Sequence, residues 1–231
     1  MSNKIFIWEE TSMKTIYVVR HGKAVSRDLD IPDFERSLVD KGEKNSVKIA
    51  QWLKDKGLSA DLFISSPANR ALETAKIFAK ILGFHEKNIL LEKSIYDDVN
   101  SKSFFNFLKK TEDQYKSVML FGHEPTISGL VTELVPEFSA GMSKSGVAGI
   151  DLPVNKWSEI KPGIGILKLL MSPGKSIKVR IAFSQVVQKR LENQTFQFLE
   201  SVDQKTTTKI VTTIKKANLE ITKKFMDLFL P

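Results

Sequence analysis

Thr15-Ile16-Tyr17-Val18-Val19-Arg20-His21-Gly22 is an apolar, β-branched run that ends abruptly in two basic side chains and a glycine. Such a run predicts a central strand covered on both faces. Ligands of open α/β sheets bind just beyond the carboxyl ends of the strands, and Arg20 and His21 stand at such an end. Gly22 is expected to let the backbone turn sharply and approach a bound anion closely. A lone Arg-His-Gly occurs in many loops, so its meaning depends on what the rest of the chain brings to the same place.

Working outward, Lys23 to Arg36 is a polar, charged loop with Pro32 and several aspartates and no helical or strand period. Asp40 with Glu43 three positions on predicts a capping box, and Val47, Ala50 and Leu53 an apolar face that runs to Gly57. Residues 60 to 64 read as a second strand. Directly after it, Ser66 is the expected N-cap and Pro67 a first-turn proline of a helix with an Ala71, Ala75, Phe78 and Leu82 stripe, stopped by Gly83. Ile89 to Leu91 is a short third strand and Phe104 to Lys110 a short helix. Val118 to Phe121 is a buried strand ending in Gly122-His123-Glu124-Pro125, after which Ile127, Leu130, Val131 and Leu134 mark another helix. Val147 to Leu152 and Ile164 to Met171 read as two later strands, joined through a turn with Pro153 and Asn155. Trp157 and Trp52 are expected to pack in the core or at its edge, and His85 to lie in a surface loop. Strands alternating with helical patterns predict an α/β three-layer sandwich around a mainly parallel sheet.

The 231 residues, 42% hydrophobic and 27% charged, suit one globular core with an appendage. No cysteine is present, which excludes disulfides, thiolate metal sites and a cysteine nucleophile within this chain. No apolar run is long enough to span a bilayer, and the first residues lack a basic region followed by an apolar core, so the expected location is the cytoplasm. Residues 1–13 read as an accessory segment, with Met13 an alternative start of translation, and 14–174 as the main domain. Residues 175–231 hold 11 Lys and Arg against 5 Asp and Glu, most of the net charge of +8. Apolar positions at helical spacing make this basic tail a candidate helical extension, with a homodimer contact as one role. Neither a membrane nor a nucleic acid is the expected partner.

Three segments share one design: a buried strand ends and a basic residue follows at once. Arg20 and His21 follow the first strand, Arg70 lies in the turn of helix after the second, and His123 follows the fourth. In a parallel sheet these ends share one edge, so two arginines and two histidines should meet in one pocket. Arginine forks match phosphate oxygens, helix amino termini add donors, and a histidine can act as nucleophile. Phosphoryl transfer depends chiefly on positioning and on charge aimed at the equatorial oxygens, which four basic groups can supply without a metal or other cofactor.

These motifs, Arg20-His21-Gly22, Ser65-Ser66-Pro67 with Arg70 and Thr74-Ala75, and Gly122-His123, resemble the histidine phosphatase superfamily, which includes phosphoglycerate mutases and histidine acid phosphatases. Arg20-His21-Gly22-Lys23-Ala24, the 36–42 segment, Ile95-Tyr96-Asp97 and Gly122-His123-Glu124-Pro125 look most like the SixA-type phosphohistidine phosphatases. The resemblance covers about residues 15–171 and implies a phosphoglycerate mutase-like fold. It implies that His21 becomes phosphorylated while Arg20, Arg70 and His123 hold the phosphoryl group. The general-acid candidates are Glu124 and Asp97, and Lys23 and Arg27 are candidate substrate-binding residues. The expected activity is dephosphorylation of phosphohistidine in a protein, because the 33 residues between Gly83 and Ser117 are too few for a large lid domain. The alternatives are a phosphomonoesterase or mutase for small phosphorylated metabolites, and a non-catalytic protein acting through its basic tail.

Overall fold

The structure, a computed structural model, describes residues 13–97, 102–139, 141–174 and 178–180. Seven strands form one sheet in the order β3-β2-β4-β1-β5-β6-β7. The strands are β1 (Lys14–Arg20), β2 (Leu62–Ser65), β3 (Leu90–Leu91), β4 (Ser117–Gly122), β5 (Val147–Leu152), β6 (Ile166–Ser172) and β7 (Lys178–Arg180). The first four are parallel to one another, whereas β5 runs antiparallel to β1, β6 to β5 and β7 to β6. β1 therefore lies between the parallel half of the sheet and its antiparallel half.

Alternation along the strands sorts their side chains into two apolar layers. Tyr17, Val19, Phe63, Met119 and Phe121 meet Ile49, Ala50 and Leu53 of helix α1 (Asp40–Asp55) and Ala75, Phe78 and Ala79 of α2 (Asn69–Leu82). Ile16, Val18, Ile64, Val118 and Leu120 meet the opposite layer, formed by Ile95 of the single-turn α3 (Ser94–Asp97), Phe104 and Leu108 of α4 (Lys102–Lys109), and Ile127, Leu130 and Val131 of α5 (Thr126–Leu134). Full burial of such side chains stabilises by about 1.5–3 kcal/mol each before entropy is counted, so both layers hold the strand ends in register. At the end of β1 away from His21, buried Lys14 donates through Nζ to the carbonyls of Asp113 and Tyr115, and buried Trp157 donates through Nε1 to Tyr115 O.

Several local expectations change. α1 starts at Asp40 behind Val39 and has no side-chain cap, so Asp40 and Glu43 form no capping box. Its buried face is Ser46, Ile49, Ala50 and Leu53, while Val47 is exposed, one position off the stripe that meets the sheet. α2 begins only at Asn69 with no side-chain cap; the Ser66 hydroxyl accepts from Ala68 N at 3.3 Å, ahead of the helix, and also meets His123 Nε2. Gly83 ends α2 with φ 78° and its N–H bonded to Ala79 O, the left-handed stop that glycine allows. Gly22 keeps a φ outside the left-handed region; a Cβ there would lie 3.0 Å from Gly42 O, Leu38 Cδ2 and Ser46 Oγ, so it is close approach to α1 that requires glycine. The strand β7 was not foreseen. Residues 1–12, most of 175–231 with the expected tail helices, and any tail-mediated dimer lie outside the described residues. Among the described residues no helix is long and apolar enough to cross a membrane.

Candidate active site

The carboxyl ends of β1, β2 and β4 bring the predicted residues together. The ladder runs past the strands: His21 N donates to Gly122 O at 3.0 Å and Ser66 N to Phe121 O at 3.0 Å. Behind them, Gly22 N donates to Thr74 Oγ1 at 3.0 Å, and that hydroxyl donates to Arg70 O at 2.7 Å, which ties the first strand end to the first turn of α2. A cleft of about 900 Å³ opens there, with Arg20, His21, Arg70, His123, Glu124, Lys23, Arg27, Arg36 and Lys144 among its lining residues.

His21 is 8% exposed, and its Nδ1 lies 2.7 Å from the carbonyl of Gly22. A carbonyl only accepts, so Nδ1 carries the proton and Nε2 keeps its lone pair. Burial lowers the His21 pKa to about 3; the bond to Gly22 opposes this, and the charges of Arg70, Arg20 and Lys144 add to it. The His123 ring stands 5.0 Å from that of His21, centroid to centroid, with Nε2 2.8 Å from Ser66 Oγ. Its pKa is also lowered, first by burial and then by His21 and Arg70. When Ser66 Oγ donates to Nε2, the ring proton sits on Nδ1, which is buried without a partner among the described residues. Arg20 Nε and Arg70 Nε are buried in the same condition. Buried donors are seldom left unpaired, and here three belong to side chains lining one cleft with a neutral imidazole. An oxyanion with several lone pairs satisfies them together.

Residues 16–95 match the sequence profile of the histidine phosphatase superfamily (branch 1). The fold aligns with SixA from Agrobacterium tumefaciens at a TM-score of 0.59 and 24% identity, over 69% of this chain and 98% of that one. It aligns with a protein histidine phosphatase SixA complexed with tungstate at 0.57 and 25% identity, over 69% and 97%. Over residues 16–95, which include Arg20, His21 and Arg70, the chain is similar to the histidine phosphatase superfamily. An uncharacterized chloroplastic protein of Arabidopsis thaliana is 27% identical over 177 residues, 72% of this chain and 81% of that one.

Arg20 Nη1 donates to Met142 O at 2.6 Å. Arg70 gives both Nη atoms to Asp33, one to its carbonyl and the other to Oδ2 at 2.8 Å. Glu124 lines the cleft, but its Oε1 accepts from Ser128 Oγ at 2.6 Å and Met142 N at 2.9 Å, an orienting arrangement. Asp97 ends α3, and its side chain lies outside the described residues. Lys23 and Arg27 line the rim, and the Arg27 side chain, 78% exposed, stands 3.4 Å from Asp33 Oδ1. His85 is exposed in its loop as expected.

Three neighbours of this phosphatase site were missed. Asp33 sits in a single 3-10 turn, Asp33–Glu35, where it accepts from Arg36 Nε and Nη2 as well as from Arg70. Burial would raise its pKa, but the bonds from Arg36 and the charge of Arg70 outweigh this and lower it to about 2. Tyr96, beside the candidate Asp97, donates to Asp33 Oδ2 at 3.2 Å and sets its ring edge-on to His123 at 5.7 Å. Lys144 joins the wall from the loop before β5. Asp33 precedes Arg36 by one turn, a spacing that hints at a pair; Lys144 gave no signal, because nothing periodic in the loop before β5 says which side chains face the cleft.

Proposed function

We propose that this phosphatase works in two in-line steps through a phosphohistidine at His21 and acts on phosphohistidine in a protein. The observation that carries it is the His21 imidazole, with Nδ1 spent on Gly22 O and Nε2 left as the nucleophile beside the three buried unpaired donors of Arg20, Arg70 and His123. Nε2 attacks phosphorus as the leaving group departs, and the donors hold the equatorial oxygens as charge spreads over them. Water then displaces His21 from phosphorus, releasing phosphate and restoring the imidazole. Arginine charge does what a metal would otherwise do at those oxygens.

The substrate reading rests on the cleft and the leaving group. Among the described residues none between Arg70 and His123 lines the cleft, and Phe104 and Leu108 of α4 are committed to the core. A protein surface can therefore approach. From a phosphoramidate the imidazole leaves as a neutral ring once its other nitrogen is protonated, and it asks little of a carboxylate acid, which agrees with Glu124 being held by Ser128 and Met142. The likeness to a protein histidine phosphatase SixA with bound tungstate, a phosphate-like oxyanion, supports the same reading.

The test is hydrolysis of a phosphohistidine protein and of small phosphate esters by the full chain, with chelator present, and intact-mass detection of an acid-labile phosphoenzyme. Wild type should form it and favour the phosphohistidine protein; His21→Ala should form none and lose at least about a thousandfold in kcat. Preference for a small ester would overturn the substrate assignment, and an active His21→Ala would overturn the mechanism.

A further inference from the structure

Holding one phosphoryl group occupies Arg20, Arg70 and the two histidines and leaves part of the cleft's charge unused. Arg36 is 7% exposed and fully engaged by Asp33 and by Val25 O. The acids on that wall are spent as well, Asp33 on arginines and Glu124 on Ser128 and Met142. The ammonium groups of Lys23 and Lys144 have no hydrogen-bond or ion-pair partner among the described residues, although both line the cleft. Arg27 beside them is ion-paired with Asp33 at 3.4 Å but keeps most of its side chain in solvent.

Lys144 is placed by the same bonds that place the nucleophile. Ser145 N donates to His21 O at 3.1 Å, Arg20 N to Gly146 O at 3.0 Å, and Arg20 Nη1 to Met142 O at 2.6 Å. The hydroxyls of Ser145 and Ser46 lie 3.0 Å apart, and Ser145 itself holds a φ of 58°. The loop is thus stitched to β1 and α1 on both sides of Lys144. Partial burial lowers the pKa of this lysine, and Arg20, Lys23, Arg36 and Arg27 lower it further, so the cations repel one another across the cleft. A second negative charge would relieve that repulsion.

We infer that Lys144, together with Lys23 and Arg27, forms a second anion subsite beside the phosphoryl pocket, selecting substrates with another negative group next to the scissile phosphate. The inference rests on the phosphatase reading of the site and deepens it. In a phosphoprotein that group is an acidic side chain flanking the phosphohistidine; in a metabolite it is a carboxylate of the same molecule.

Two substrate pairs test it in the full chain at low salt: phosphohistidine peptides with flanking Glu or flanking Gln, and carboxyphenyl phosphate against phenyl phosphate. Wild type should favour the charged member of at least one pair by about tenfold or more in kcat/KM, and added salt should shrink that ratio. Lys144→Met should bring the ratio to about one, while Lys144→Arg should keep it within about threefold. A wild type that does not discriminate in either pair, or a Lys144→Met that keeps the ratio, overturns the inference. If the peptides are inert and the aryl phosphates are cleaved, the phosphohistidine-protein reading fails and the aryl ratio decides the subsite. Hydrolysis of neither pair removes the phosphatase reading and the subsite with it.

Discussion

The proposed mechanism requires a neutral His21, and burial together with three neighbouring cations lowers its pKa to about 3. The rate of phosphoenzyme formation should therefore show no titration of His21 between pH 7 and 5, measured by quench-flow with an aryl phosphate. The same shift has a stability consequence. Unfolded histidine titrates near 6.5, so the contributions of His21 and His123 are complete above that pH and are lost as pH falls toward the folded values. Denaturant unfolding at pH 7, 6 and 5 should show stability falling by up to about 1.4 kcal/mol per pH unit for each histidine, and bound vanadate should oppose the fall. Asp33 is a positioning residue: Asp33→Asn removes the charge that aligns Arg70 and Arg36, and should lower kcat/KM by about tenfold to a hundredfold, worth about 1.4–2.7 kcal/mol, with vanadate affinity falling in parallel. At this scale the convergence of His21, Arg20, Arg70 and His123 on one cleft was legible in the sequence, because each follows a readable strand. Asp33 and Lys144 were not, because irregular loops carry no period that says where a side chain points.

The helix α1 is pressed against the loop after β1 more tightly than any side chain would allow. A Cβ on Gly42 would lie 2.1 Å from Lys23 O and 2.7 Å from Lys23 N, so Gly42→Ala should push the loop off the helix. The expected cost is about 1–3 kcal/mol by thermal unfolding, with a loss of activity because Gly22 O, the acceptor for His21 Nδ1, moves with that loop. Strand and helix positions were legible from apolar alternation and from the 49, 50, 53 and 71, 75, 78 stripes. The helix starts were not: Ser66 looks like a cap and its hydroxyl does accept from Ala68 N at 3.3 Å, yet α2 begins only at Asn69, and the same hydroxyl also bonds His123.

Across the whole molecule, the sheet changes direction at β1, and β7 continues it past the sequence-level boundary at Gly174. Ending the chain after Gly174 should leave the edge of β6 unpaired, giving a lower melting temperature or more aggregation than a chain that ends after Arg180. The reversal itself was hard to read beforehand, since β5 and β6 are buried runs whose direction no local pattern records. It also divides responsibilities. Because β5 runs against β1, the segment entering β5 arrives at the edge where β1, β2 and β4 leave, bringing Met142 and Lys144 to chemistry built by other strands. The stretch from Met142 to Lys144 thus reaches the cleft independently of the strands that carry His21, Arg70 and His123. Under the subsite inference, exchanging Lys144 changes which substrates are taken and leaves those three side chains in place.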